Sequence, residues 1–226
     1  RPPPATRQYF DIRGRAEAIR LALADTGVAY DDASFTSDEW GKSRSDGLKA
    51  QWTESGKALF GQAPVVEVDG LDLVQSHSIL RYLGRQHGWY TGSPAELALI
   101  DMAADGTEDI RKQVKGIEYD GSLSDEQKAA KFVAYLESSA PTWLGFYERM
   151  LAHGPEGGYL SGSTKVSHAD YLFFDLLDTH ESVLSEHRSQ LDALLATVPQ
   201  ITAWRLRMRS RPNLAKYLAD GTRRRG

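Results

Sequence analysis

The sequence predicts two structural classes in series, a small mixed α/β domain and then an all-helical one. Three observations carry this. The first 90 residues alternate short apolar runs with helical patterns in the order β-α-β, then β-β-α. The hairpin in that set has an Asp69-Gly70 turn between Val65-Val66-Glu67-Val68 and Leu71 to Val74. Beyond Gly88 to Ser93, every apolar pattern repeats at helical spacing. The expected division is 1–87 for the mixed domain, 88–93 for a linker and 94–226 for the helical domain.

Arg7 to Phe10 reads as the first strand. Arg15 to Thr26 is rich in alanine and leucine and reads as a helix, with Gly14 permitting a tight entry and Gly27 in the C-cap role. Val28 to Phe35 is a second strand, parallel to the first because a helix crosses between them. Residues 36 to 61 are polar with scattered Gly and Ser, and irregular structure is expected. The hairpin adds two antiparallel strands, for four in all. A helix from Ser76 to near Gly88 closes the domain. In the second half, Pro94 opens a helix that runs to about Tyr119. Ser124 with Gln127 forms a capping box for a helix toward Ala152, kinked at Pro141. Ser167 with Asp170 resembles another box, opening a helix (YLFFDLLDTHESVL) apolar on nearly all sides in its first half, hence central and buried. Shorter helices bounded by Pro199 and Pro212 finish the chain.

The totals exclude several functions. Net charge is -4, which does not favour nucleic acid or an anionic membrane. The Arg223-Arg224-Arg225 run is too short to change this and is expected to be a solvated, mobile end. No apolar run approaches the ~20 residues that span a bilayer. Residues 1 to 6 hold three prolines and no signal-peptide core. There is no cysteine, which removes disulfide exchange, a protein thiolate and sulfur metal sites. The six histidines show no metal-binding spacing, and His77, His87 and His153 read as surface residues.

Gln75 and Ser76 stand at the mouth of the helix from Ser76. Free N–H groups at a helix start form an anion site. Read locally, Ser76 is an ordinary N-cap.

The segments YFDIRGRAEAIRLALAD, GQAPVVEVDG, VQSHSILRYLGR, LIDMAADGTEDIR and VSHADY…DLL, in this order and at these separations, resemble the cytosolic glutathione transferases that use a tyrosine, above all the pi class and next the sigma class. The resemblance covers almost the whole chain. It implies a thioredoxin-like domain with a four-stranded mixed sheet, then a helical bundle, assembled as a homodimer in the cytoplasm. It implies reduced glutathione as co-substrate, hydrophobic electrophiles as second substrates, and no permanently bound cofactor or metal.

Position by position, Tyr9 matches the catalytic tyrosine and Arg15 an arginine that adds positive potential near the thiol. Ser76 and Gln75 would take the γ-glutamyl carboxylate, with Gln62 holding the same arm. Pro64 would be cis, so that the Ala63 backbone pairs with the cysteinyl part of the tripeptide. Trp40 and Lys49 match the residues that hold the glycine carboxylate. The chain between Lys49 and Pro64 is longer than usual for the class, which could shift Lys49 or let Trp52 or Lys57 take part. Asp109 would reach the partner subunit's ligand; Asp105, four residues earlier on the same helical face, either supports it or is simply solvated. Phe60 matches an aromatic inserted into the other subunit, against a plain reading as core. Phe10, Ile12 and Tyr119 match the electrophile pocket. Ser167 and Asp170 match a structural motif.

A thiol of pKa ~8.5 is only a few per cent thiolate at neutral pH. Lowering it by ~2 units needs ~2.7 kcal/mol of preference for the anion. One hydrogen bond to a charged acceptor supplies ~1.5–3 kcal/mol. A tyrosine O–H aimed at the sulfur therefore suffices, with a helix start adding to it. Two other readings stay beside conjugation: a non-catalytic binder of hydrophobic ligands or structural relative, and a glutathione-dependent isomerase like the prostaglandin D synthases.

Overall fold

The computed structural model describes residues 5–41, 45–221 and 223–224. Prolines 2–4 and Arg225 lie outside them. The chain runs β1 (Ala5–Phe10), a 3-10 turn (Gly14–Ala16), α1 (Glu17–Asp25), β2 (Tyr30–Phe35), α2 (Ser37–Trp40), α3 (Leu48–Glu54), β3 (Val65–Val68), β4 (Leu71–Leu73) and α4 (Ser76–His87). There follow α5 (Pro94–Glu118), α6 (Asp125–Glu137), α7 (Ser139–His153), α8 (His168–Val183), a 3-10 turn (Ser185–His187), α9 (Arg188–Ala196), α10 (Pro199–Ser210) and α11 (Pro212–Ala219). By contact these form two units, Arg1–His87 with Arg211–Gly226, and Gly88–Ser210.

The first unit holds a four-stranded sheet in the order β2-β1-β3-β4. β1 is parallel to β2 and antiparallel to β3, and β4 returns antiparallel to β3. This is the thioredoxin-like arrangement. Local chemistry explains its joints. After α1, the Gly27 N–H bonds to the Ala24 carbonyl and the Val28 N–H to the Leu23 carbonyl, a Schellman closure with Gly27 at φ +69°. Asp69 and Gly70 both have positive φ, as a type I′ hairpin turn requires. The Asp69 carboxylate also accepts from Tyr82 at 2.9 Å and Gln86 at 2.5 Å, which ties the hairpin to α4. Along β1, alternate residues Ala5, Arg7 and Tyr9 are buried.

Three expectations change here. Residues 36 to 61 are irregular only in part: among the described residues, Thr36 and Glu39 make a capping box that starts α2, and α3 follows. α11 packs on the first unit, where the sequence reading placed it in the helical domain. Arg211 pairs with Asp25 at 2.6 Å, and Asn213 donates to the Asp25 carbonyl at 3.0 Å. Nor are Arg223 and Arg224 a solvated end, since both are ion-paired, Arg223 with buried Glu17 at 2.8 Å.

In the second unit, Pro141 does more than kink a helix. A proline has no N–H for the carbonyl four residues back and crowds it. The ladder breaks at Ser138, and α6 and α7 are separate helices with Pro141 in the first turn of α7. Ser124 and Gln127 cap α6 as expected. The 88–93 stretch is packed, with Trp89 and Tyr90 buried and the Tyr90 hydroxyl bonded to Asp101 at 2.7 Å. α8 is the central helix: every residue from His168 to Asp178 is buried. Tyr147 stacks on Phe173 at 4.0 Å, and Arg111 pairs with Asp175 at 2.6 Å. No helix of the described residues is long and apolar enough to cross a membrane.

Two buried polar groups organise this core. The Asp170 carboxylate accepts from the Ser167 N–H (2.8 Å), the Ser167 hydroxyl (2.7 Å), the Leu160 N–H (3.0 Å) and the Trp204 indole (2.8 Å). Complete burial pushes its carboxyl up and the four donors pull it back. His180 donates one ring nitrogen to the Leu176 carbonyl at 2.8 Å and accepts the Tyr135 hydroxyl at 2.7 Å with the other. That pattern needs the neutral ring, and burial lowers its pKa to about 4.

Two outcomes follow. Ser167→Ala is expected to cost ~0.5–2 kcal/mol, as a lost cap does. Asp170→Ala is expected to cost more than ~3 kcal/mol, because it orphans buried donors from three segments. Denaturant unfolding checks both. For His180, the unfolded ring takes a proton below about pH 6.5, while the folded one resists until about 4. Its contribution is present above pH 6.5 and lost as the pH falls toward 4. His180→Gln is therefore expected to flatten the fall in stability across that window, by up to ~1.4 kcal/mol per pH unit.

Candidate active site

The site begins where β1 ends. Tyr9 is 7% exposed, and its hydroxyl accepts the Arg15 backbone N–H at 3.2 Å. The chain reverses to make this bond. The Ile12 N–H bonds to the Phe10 carbonyl at 2.7 Å, and Gly14 adopts φ +43°. A β-carbon on Gly14 would lie 2.7 Å from the Tyr9 hydroxyl oxygen and 2.8 Å from its ring. Glycine is thus required twice, for its backbone angle and for its missing side chain. With one lone pair taken by an N–H, the Tyr9 O–H is a polarised donor whose proton is left for another acceptor. The Arg15 side chain is exposed on the 3-10 turn that supplies the N–H.

The second part precedes β3. The Ala63-Pro64 bond is cis. Sheet pairing starts at Val65, so Ala63 lies beyond the ladder, and Gln62 is exposed beside it.

At the third, the Ile79 N–H bonds to the Gln75 carbonyl at 3.0 Å, which makes Gln75 the cap and Ser76 the first helical residue. The local reading of Ser76 as an N-cap is therefore replaced. Ser76 is 8% exposed, and its N–H is one of those that a helix start leaves without an intrahelical partner. Gln75 has φ +68°, a left-handed conformation that costs a glutamine ~1–3 kcal/mol.

Other expected residues divide. Trp40 is buried and stacks on Phe35 at 5.0 Å, with Phe10 and Trp52 edge-on to it. Trp40 is therefore core aromatic as well as candidate donor, and Phe10 packs in this cluster rather than standing open. Tyr9 and Phe10 alternate across the strand, yet their rings meet at 5.3 Å. Lys49 is half-buried along Gly61 and makes no ion pair among the described residues. Lys57 pairs with Glu67 at 2.6 Å and lies over Trp52 at 4.5 Å, so its charge is already matched. Ile12 is exposed. Phe60 is 62% and Leu59 65% exposed, which removes the reading of Phe60 as core.

In the second unit, Asp105 and Asp109 line a cavity of about 900 Å³ between α5 and α7, with Leu99, Met102, Trp143 and Phe146. Asp109 is exposed, 3.9 Å from Lys112. Tyr119 is exposed at the end of α5, with the Lys115 ammonium 5.1 Å over its ring. Missed in the sequence was Arg20, whose Nη1 donates to the carbonyls of Ile12 and Arg13 at 3.1 Å each. A charged pair, Glu17 and Arg20, inside an otherwise apolar helix was the available signal.

Comparisons with known proteins bear on the family and the fold. Residues 5–85 match the family described as glutathione S-transferase, N-terminal domain, and residues 108–221 the C-terminal domain. The chain is 37% identical over 222 residues to glutathione S-transferase P 1 of Bufo bufo, covering 96% of this chain and 93% of that one. It is 34% identical over 218 residues to human glutathione S-transferase P, covering 96% and 93%. The solved pi-class glutathione S-transferase of Onchocerca volvulus superposes with a TM-score of 0.78 at 28% identity, covering 96% and 92%.

Gly14→Ala tests the loop. It is expected to displace the Tyr9 ring and cost ~1–3 kcal/mol in denaturant unfolding, through the left-handed angle and the close approach together.

Proposed function

The chain belongs to the glutathione S-transferase family, and we propose that it works by holding the sulfur of glutathione as a thiolate against the Tyr9 hydroxyl. It is a glutathione transferase: the thiolate attacks a hydrophobic electrophile, the sulfur–carbon bond forms, and the displaced electron pair leaves with the departing group or moves to the electrophile's oxygen. The observation that carries the Tyr9 role is its 3.2 Å bond from the Arg15 N–H, which fixes the oxygen and leaves the proton to be given. A hydrogen bond to a charged acceptor, ~1.5–3 kcal/mol, covers most of the ~2.7 kcal/mol needed.

The tripeptide lies, in this reading, with its γ-glutamyl carboxylate at the start of α4. Ser76 and Gln75 receive it, and their place at the start of α4, at the positive end of the helix dipole, supports the role. Gln62 holds the same arm. The Ala63 backbone, before cis Pro64, pairs with the cysteinyl part as an added strand would. Lys49, with no ion pair among the described residues, takes the glycine carboxylate, joined by the Trp40 indole. Arg15 adds positive potential near the sulfur. Ile12, exposed and large, with Phe10 in the neighbouring aromatic cluster, is assigned to the electrophile in the first unit, and Tyr119, exposed at the end of α5, is assigned to it in the second.

The active form in this reading is a homodimer in the cytoplasm. Leu59 and Phe60 form an exposed apolar pair that asks for a cover. The α5–α7 cavity of a second copy supplies one, and Asp109 of that copy then approaches the γ-glutamyl ammonium. Reduced glutathione enters as co-substrate, with no resident cofactor.

Tyr9→Phe is expected to raise the apparent pKa of the bound glutathione thiol by ~1–2 units, read by ultraviolet titration of the thiolate. Turnover of a chloronitrobenzene at pH 6.5 should fall ~10–100-fold with it. Identical titration curves would defeat the Tyr9 role. Phe60→Ser is expected to shift sedimentation toward the monomer; an unchanged dimer would remove Phe60 from the interface.

A further inference from the structure

Glu17, the first residue of α1, is fully buried, and donors from both ends of the chain converge on it. Arg20 Nη1 lies at 3.1 Å, the Tyr217 hydroxyl at 3.2 Å and Arg223 Nε at 2.8 Å. The Arg223 guanidinium also sits over the Tyr217 ring at 5.8 Å. The same Arg20 nitrogen holds the carbonyls of Ile12 and Arg13, inside the loop that presents the Arg15 N–H to Tyr9. Arg20 Nε reaches Asp32 at 3.2 Å, and Arg7 pairs with the same carboxylate. Arg224 pairs with Asp11 of the loop, two residues after Tyr9, and its Nε is 3.6 Å from Asp32.

The segment after α10 thus clamps α1 at both ends. At the far end, Arg211 and Asn213 hold Asp25, which is enough to dock α11. At the near end, Tyr217, Arg223 and Arg224 contact the residues that shape the Tyr9 loop instead. A docking role alone does not call for arginines directed at that loop.

We propose that Tyr217, Arg223 and Arg224 act as a strap on the 11–15 loop, with Arg223 and Arg224 as positioning residues for the transferase reaction. Arg224 holds the loop directly through Asp11. Arg223 fixes Glu17, and through it the Arg20 nitrogen that grips the loop carbonyls. Together they keep the Arg15 N–H on the Tyr9 oxygen, and so keep the Tyr9 proton aimed at the sulfur. This rests on Tyr9 as the thiolate donor.

The test uses Arg224→Ala and Arg223→Ala in the full chain, each beside its Lys counterpart, with Tyr9→Phe as reference. Two readouts are taken, amide hydrogen exchange across residues 11–16 and the pH profile of kcat/KM with a chloronitrobenzene. Exchange in the loop is expected to speed about tenfold in Arg224→Ala, with α4 unchanged. The kinetic pKa is expected to rise by about half a unit or more. Arg224→Lys should restore both. If Arg223→Ala does not fold, Arg224→Ala decides alone, because its partner Asp11 is largely exposed. Loop exchange that stays at the wild-type rate overturns the strap, and so does an unmoved pH profile, even where the unfolding temperature drops. If Tyr9→Phe itself leaves the pH profile unmoved, the Tyr9 reading has failed, and the exchange rates alone decide the strap.

Discussion

A tyrosine hydroxyl has one proton to give, and here the backbone decides where it goes. The Arg15 N–H occupies the Tyr9 oxygen, and Gly14 makes room for that contact by having no side chain. Three residues, Asp11, Ile12 and Arg13, separate the sheet from the turn that opens α1. All of the chemistry assigned to the first unit depends on their shape. The sheet fixes one end, since Tyr9 is paired in register beside Ser34 of β2. Arg20 fixes the other by gripping two loop carbonyls from inside. A loop held at both ends can hold a hydroxyl to a fraction of an ångström, the tolerance that hydrogen-bond donation to a developing anion demands.

Buried charge is the device this protein uses to hold such shapes. Glu17, Asp170, and the Arg111–Asp175 pair are all removed from water. A buried ion pair contributes little net stability beside a well-packed apolar replacement, yet breaking one costs ~3–5 kcal/mol. Their effect is on position. Asp170 joins Leu160, Ser167 and Trp204, three segments that no single apolar contact would hold in one geometry. Glu17 does the same for α1, α11 and the segment beyond it.

The net charge of -4 does not conflict with binding a ligand that carries two carboxylates. Salt screens exposed charges beyond ~8 Å at physiological ionic strength, so the distant acidic surface counts for little. On the proposed reading what counts is local: the start of α4 and Lys49, which is half-buried. A few aimed donors, rather than a field, would then receive an anionic ligand.

The sequence by itself determined whatever depends on neighbours along the chain. The Asp69-Gly70 turn, the Gly27 closure, the boxes at Ser124 and Ser167 and the central helix after them are set by contacts within about six residues. The order of motifs also made Tyr9, Gln75 and Ser76 legible as candidates. Local pattern misplaced what long-range contact decides. It left α2 and α3 as irregular, where an aromatic cluster of Phe35, Trp40 and Trp52 stabilises helices too short to stand alone. It treated Arg223 and Arg224 as solvated, where their partners lie 206 and 213 residues earlier. Only the tertiary structure decided that Ser76 is the first helical residue and not the cap, that Phe60 is exposed, and that Gly14 sits against a hydroxyl. Each of these rests on which distant groups meet in space, and a one-dimensional pattern holds no record of that.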